Sequence, residues 1–125
     1  MNTSRHISVD VLTSFDVSYS QLPEVLAQVF DKYDPSLSKK QRSRVIINEV
    51  IRRRGILDHI IEKCSSKKID KIQPKLRAII RIGCYELLFD DFIPDFAAIH
   101  SAVELGKKSI NKKAGSMVNA VLRNI

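Results

Sequence analysis

Cysteine is scarce in this chain: among 125 residues only Cys64 and Cys84 occur, far apart in sequence. Neither belongs to a CxxC pair or stands near two histidines, so a disulfide scaffold and a zinc site are both excluded as organising features. Each falls on an apolar helical face, as small buried hydrophobes do in a reducing compartment. Long apolar runs are missing too. Nowhere do 18 apolar residues follow one another, and Met1-Asn-Thr-Ser-Arg-His-Ile-Ser-Val-Asp10 has no basic segment leading into an apolar stretch, so neither a membrane span nor a secretory leader is expected and a cytoplasmic location is. Catalytic signatures are absent as well: no Gly-rich phosphate loop after a strand, no GxSxG elbow, no HExxH. His6, His59 and His100 are isolated in the sequence, and Asp90-Asp91 reads as a turn rather than a metal site. Repeats, low-complexity tracts and Gly/Ser linkers do not occur. The expectation is one domain over residues 1–125, without enzymatic activity, metal or cofactor.

What the chain does have is positive charge, unevenly placed. The formal net charge is +7. Residues 1–35 hold 2 basic and 5 acidic side chains, residues 36–84 hold 14 and 4, and residues 85–125 hold 5 and 5. A basic excess confined to the middle of a chain suits a polyanionic partner, because neutralising phosphates releases counterions whatever the base sequence. The competing reading is a solvated, solubilising helix surface.

Apolar residues recur at i, i+3, i+4 and i+7 almost throughout, and strand-like alternation is never sustained, which predicts an all-α bundle of about seven helices. The first helix spans about Ser4 to Val17, the second begins near Pro23 and ends near Tyr33, and Asp34-Pro35 breaks the chain. Ser38 with Gln41 reads as a capping box opening a third helix that Gly55 stops. A fourth helix carries Ile56, Leu57, Ile60, Ile61 and Cys64. The fifth, Pro74 to Phe89, places Leu76, Ile79, Ile80, Gly83, Cys84, Leu87 and Leu88 on one side. A sixth follows Pro94 with small residues at Ala98, Ala102 and Gly106. The seventh carries Ala114, Met117, Val118, Val121 and Leu122, with Asn111 to Gly115 read as a mobile loop before it. Gly83 in mid-helix costs about 1 kcal/mol against alanine, and a close approach by a neighbouring helix, the sixth, is its expected use.

Several constellations could contact RNA. Arg77, Arg81 and Tyr85 stand at i, i+4 and i+8 on the fifth helix, two guanidiniums and a ring, the composition that grips phosphates and stacks on bases. Against this, the arginines could pair with carboxylates on neighbouring helices while Tyr85 closes the core. The third helix presents Lys39, Arg52 and Arg53 on a broad basic arc, although Arg52 and Arg53 also suit the helix dipole and pairing with Glu49. For Arg42 an internal salt bridge is favoured. Arg5 opens the first helix. Asn119 and Arg123 share one side of the last, Asn119 being read first as a structural tie and second as a base-reading amide.

The segments Pro74-Lys-Leu-Arg-Ala-Ile-Ile-Arg-Ile-Gly-Cys-Tyr-Glu-Leu-Leu88, Val103-Glu-Leu-Gly-Lys107 and Val118-Asn-Ala-Val-Leu-Arg123, in this order, resemble the NusB-type RNA-binding domain. That resemblance implies RNA binding in one of two settings. One is the N-terminal, rRNA-recognising module of an S-adenosylmethionine-dependent 5-methylcytosine small-subunit rRNA methyltransferase, lacking here the catalytic domain. The other is a free transcription antitermination factor that binds boxA-like leader RNA with a small-subunit ribosomal protein. Arg52-Arg-Arg-Gly-Ile-Leu-Asp58, Ala120 where free factors tend to have glycine, and Arg123 where they tend to have an acidic residue favour the methyltransferase module. So does the single Arg5 in place of an arginine-rich run. A protein-docking bundle with no RNA role is the third alternative.

Overall fold

The computed structural model describes residues 3–125. Seven α-helices follow one another: α1 (Ser4–Val17), α2 (Leu22–Tyr33), α3 (Leu37–Arg52), α4 (Arg54–Ser65), α5 (Pro74–Phe89), α6 (Asp95–Ser109) and α7 (Lys112–Arg123), with one 3₁₀ turn, Ile69–Lys71, between α4 and α5. Among the described residues there is no strand. The all-α expectation holds, and the bounds of α1 and α5 are those read from the sequence.

Side-chain oxygens start three helices by taking a backbone N–H that has no partner within the helix. Thr3 accepts from His6, Ser36 from Lys39 and Asn111 from Ala114. The third helix thus opens two residues before the anticipated Ser38 cap, because Ser36 is the first hydroxyl after Pro35. It also ends earlier than Gly55. Arg53, at φ −99° and ψ 9°, is a one-residue joint between α3 and α4. Its N–H still donates to the Glu49 carbonyl and its carbonyl still accepts from Leu57 N, so the helical path bends without a loop and Gly55 falls inside α4. Asn111 likewise caps a helix that begins at Lys112, and the stretch expected to be mobile is the first turn of α7.

α5 is the axis of the bundle. It packs against α1, α3, α4, α6 and α7, and every residue from Ala78 to Glu86 is buried. A one-sided apolar stripe predicts a helix lying on a core; here the other helices surround it, so Arg81, Tyr85 and Glu86 are interior as well. The apolar core joins Ile7, Ile46, Ile47, Leu57, Ile61, Ile79, Ile80, Ile82 and Leu122, all essentially inaccessible to solvent. Gly83 serves the close approach expected of it, on two helices. A β-carbon there would stand 2.7 Å from Leu122 Cδ1 of α7 and 2.9 Å from Ala102 Cβ of α6. Gly106 and Gly115 bring α6 and α7 nearly into backbone contact, a β-carbon on Gly106 lying 3.2 Å from Gly115 Cα.

Candidate functional site

The α5 ridge points inward. Arg81 donates from Nε and Nη2 to the two carboxylate oxygens of Asp58, at 2.8 and 3.0 Å, and its Nη1 reaches Asp16 at 3.4 Å. Arg77 Nε donates to Asp16 at 2.6 Å and its Nη1 to the Ile72 carbonyl at 3.1 Å. Arg54 closes the group from α4, 2.8 Å from Asp16. Only 6% of the Arg81 side chain and 15% of Arg77 reach solvent. Burial alone would raise the Asp16 pKa. The Arg77 hydrogen bond and the charges of Arg81, Arg77 and Arg54 outweigh it and hold that carboxyl below its usual value. Tyr85 is 5% exposed, and burial raises its phenol above the ordinary range. Of the three residues read as an RNA ridge, Arg77 and Arg81 cross-tie α1, α4 and α5, and Tyr85 lies in the core. Their guanidiniums are consumed by carboxylates, and the Tyr85 ring has no open face for a base.

A second network fixes Arg5. Its Nε donates to Glu86 Oε1 at 2.8 Å, and Arg42 bridges Glu86 at 3.3 Å and Asp90 at 3.0 Å. Glu86 is 1% exposed, so it needs both cations, and Arg42 has the internal role anticipated for it. Arg5 keeps an accessible edge beside a groove that also includes His100, Ser101, Glu104 and Lys108 of α6. On α3 and at the joint after it the basic residues differ among themselves. Arg52 is exposed and chelated by Glu49, at 2.8 to 3.2 Å. Arg53 lays its guanidinium over the Phe89 ring at 4.4 Å, and Lys39 is exposed with no ion pair among the described residues.

The open cationic surface is formed by α6 and α7. Lys107 and Lys108 end α6, Lys112 and Lys113 begin α7, and Arg123 ends it. Among the described residues, Glu104 is the one carboxylate paired with the two α6 lysines, at 3.9 and 3.8 Å and with both lysines half exposed, so those pairs contribute little. Arg123 Nε donates to Asn119 Oδ1 at 2.8 Å on the α7 surface. Asn119, read first as a tie between helix ends, therefore shares a surface ridge with Arg123. The tie is made by Asn124, whose Nδ2 donates to the Cys64 carbonyl at 3.0 Å. Beside this ridge a groove of about 300 Å³ runs between Val103 and Lys107 on one side and Gly115, Ser116 and Asn119 on the other. The sequence pattern does not single out Lys107, Lys108, Lys112 and Lys113 as part of this surface. The signal is two lysine doublets flanking an Asn N-cap, hidden by the loop-like composition of Asn111 to Gly115.

The NusB family model matches residues 2–125. The chain belongs to the NusB family. The transcription antitermination protein NusB of Ruminiclostridium cellulolyticum is 32% identical to it, over 98% of this chain and 85% of that protein. A probable ribosomal RNA small subunit methyltransferase B of Synechocystis sp. is 28% identical over 98% of this chain, but that match spans only 28% of the methyltransferase. Among solved structures, the crystal structure of antitermination factors NusB and NusE in complex with dsRNA aligns with a TM-score of 0.87 at 26% identity, covering 96% of this chain and 90% of that one. Matches along nearly the full length of antitermination proteins overturn the methyltransferase-module expectation. Two of the residues that favoured it, Ala120 and Arg123, are both on the solvent side of α7. Such positions change without disturbing packing, so they discriminate poorly between branches of one fold. No described helix is long and apolar enough to cross a membrane.

Proposed function

We propose that this protein is a free transcription antitermination factor of the NusB type, a single domain acting in the cytoplasm, which binds boxA-like RNA together with a ribosomal protein partner. The observation that carries this reading is the α6–α7 surface. Five exposed cations, Lys107, Lys108, Lys112, Lys113 and Arg123, are carried by these two helices against Glu104, with Lys107 beside the Asn119 amide and the Ser116 hydroxyl that can read a base edge. The lysines supply phosphate contacts and Asn119 with Arg123 the more discriminating ones. Arg5, across the groove on the other side of α6, extends the track. Lys39 and Arg52 lie on α3, which packs on α1, α4 and α5, Arg53 stands at the joint after it, and all three lend long-range attraction more than contact. Full-length likeness to antitermination proteins supports the reading, as does a structural neighbour captured with RNA and a second protein.

The test is fluorescence anisotropy with a boxA-like RNA across a salt series. Each phosphate that is no longer neutralised removes about 0.7 from the slope of log affinity against log salt for single strands. Lys112→Glu/Lys113→Glu is expected to weaken binding and lower that slope by about 1.4. Wild-type affinity and slope in this variant would overturn the assignment of the surface.

A further inference from the structure

The stretch from Ile82 to Gly106 contains no lysine or arginine and five carboxylates, in a chain of net charge +7. Two of these, Glu86 and Asp90, are neutralised by Arg5 and Arg42. Asp91 and Asp95 are exposed. Between the end of α5, the start of α6 and the end of α7 runs a groove of about 330 Å³, walled by Leu87, Leu88, Ile99, Leu122 and Ile125, with Asp95 on its rim and Arg123 at its edge. Phe92, in the α5–α6 connection, is 98% exposed, and Phe96, in the first turn of α6, is 77% exposed. Phe96 lies one helical turn before Ile99, on the same face. Leu88 and Ile125 add two further part-open apolar side chains. An uncovered phenylalanine one turn from the groove's Ile99, with a second in the connection that leads into the same helix, marks a contact surface rather than ordinary scatter of single apolar residues.

We propose that this acidic, aromatic pole is a protein-docking site, and that its occupant is a basic amphipathic segment of another protein, which seats apolar side chains in the groove and sets lysines or arginines against Asp91 and Asp95. Charge selects this occupant. A nucleic acid would meet two exposed carboxylates here, whereas a basic partner is repelled by the lysines of α6 and α7 and attracted here; the exposed carboxylates of α2 and its end, Glu24, Asp31 and Asp34, do not border this apolar groove. The proposal goes beyond the RNA-binding reading and stands without it: Arg123 borders both surfaces, but Phe92, Phe96, Asp91 and Asp95 belong to this one alone.

The test uses three labelled helical peptides of equal length: one of leucine and lysine, one with glutamate for lysine, one with serine for leucine. Binding is read by anisotropy and located by backbone amide chemical shifts. The leucine/lysine peptide is expected to bind saturably, shifting residues 87–99 and 121–125, with affinity falling at least about tenfold in Phe92→Ser/Phe96→Ser as apolar burial is removed. Asp91→Lys/Asp95→Lys is expected to abolish binding. Both pairs are exposed, and far-ultraviolet circular dichroism spectra matching that of the wild type verify the fold, since Asp95→Lys opposes the dipole of α6 and lowers the melting temperature by itself. Equal binding of the glutamate peptide, binding indifferent to the phenylalanines, or shifts confined to other surfaces would overturn the proposal. So would concentration-dependent dimerisation that disappears in Phe92→Ser/Phe96→Ser, which would make a second copy of the chain the occupant.

Discussion

Arg81→Ala separates the structural account of α5 from the RNA ridge that its sequence suggests. Removing this guanidinium takes two short hydrogen bonds from Asp58 and one long one from Asp16. Asp16 keeps Arg77 and Arg54, at 2.6 and 2.8 Å. Among the described residues Asp58 keeps only Arg54, at 4.0 Å. Breaking a buried pair by deleting one partner costs about 3–5 kcal/mol, because a charge is left without compensation. Asp58 is 20% exposed and recovers some hydration, which places the loss near the lower bound, about 3 kcal/mol. For a domain of this length that corresponds to a fall in melting temperature of about 10 °C. Circular dichroism melts and urea titrations measure it. Arg81→Lys is expected to lose nearly as much, since one ammonium cannot serve both Asp58 oxygens in the planar, two-pronged manner. Arg81→Met/Asp58→Leu should regain much of the loss, because replacing both charges leaves none unpaired. RNA affinity at a temperature where each variant is folded should equal that of the wild type. A variant as stable as the wild type but deficient in RNA binding would refute the reasoning.

Gly83→Ala should cost about 1–3 kcal/mol in urea unfolding through overpacking, since its β-carbon meets Leu122 and Ala102 side chains at 2.7 and 2.9 Å. The Asp16 carboxyl is held below its unfolded value of 3.8, so its contribution to stability is present above pH 3.8 and disappears as pH falls through the folded value. Asp16→Asn should flatten that acid limb of the stability curve. His6 is lowered below 6.5 chiefly by burial, with Asp10 opposing and the N-terminus, Lys75 and Lys32 assisting. The unfolded chain therefore takes up the His6 proton first, so this group favours folding above pH 6.5 and less as pH falls. His6→Gln should reduce the pH dependence of unfolding between about pH 5 and 7. Burial pushes the Cys84 thiol up to about 12, so at about pH 8 mass spectrometry should find Cys84 unmodified by iodoacetamide until the protein is denatured.

Helix order is legible because apolar spacing at 3.6 residues is local, and the bounds of α1 and α5 follow from it. Surroundings are not. The pattern of α5 shows one strongly apolar side, while the burial of Arg81 depends on carboxylates at Asp16 and Asp58, and that of Glu86 on the guanidiniums of Arg5 and Arg42, whose proximity arises only when α1, α3 and α4 close around it. An arginine aimed at phosphate and one aimed at a distant aspartate look alike in sequence. Arg42 is recognisable as an internal partner, yet nothing local names Glu86 and Asp90 as its carboxylates. The α7 surface is half legible: Asn119 and Arg123 share a face by spacing alone, whereas Lys107 joins them through the Gly106–Gly115 approach, which no local pattern encodes. Ser36 escapes notice as a cap because Ser38 with Gln41 fits the capping-box formula, although the chain turns helical directly after Pro35.

The most direct measurement is the backbone amide chemical-shift map of the ¹⁵N-labelled protein during titration with a boxA-like RNA. The account predicts that the largest changes follow α6 and α7 from Lys107 to Arg123, with Arg5 at their margin. Changes concentrated on Lys75 to Tyr85, with α7 undisturbed, would contradict it.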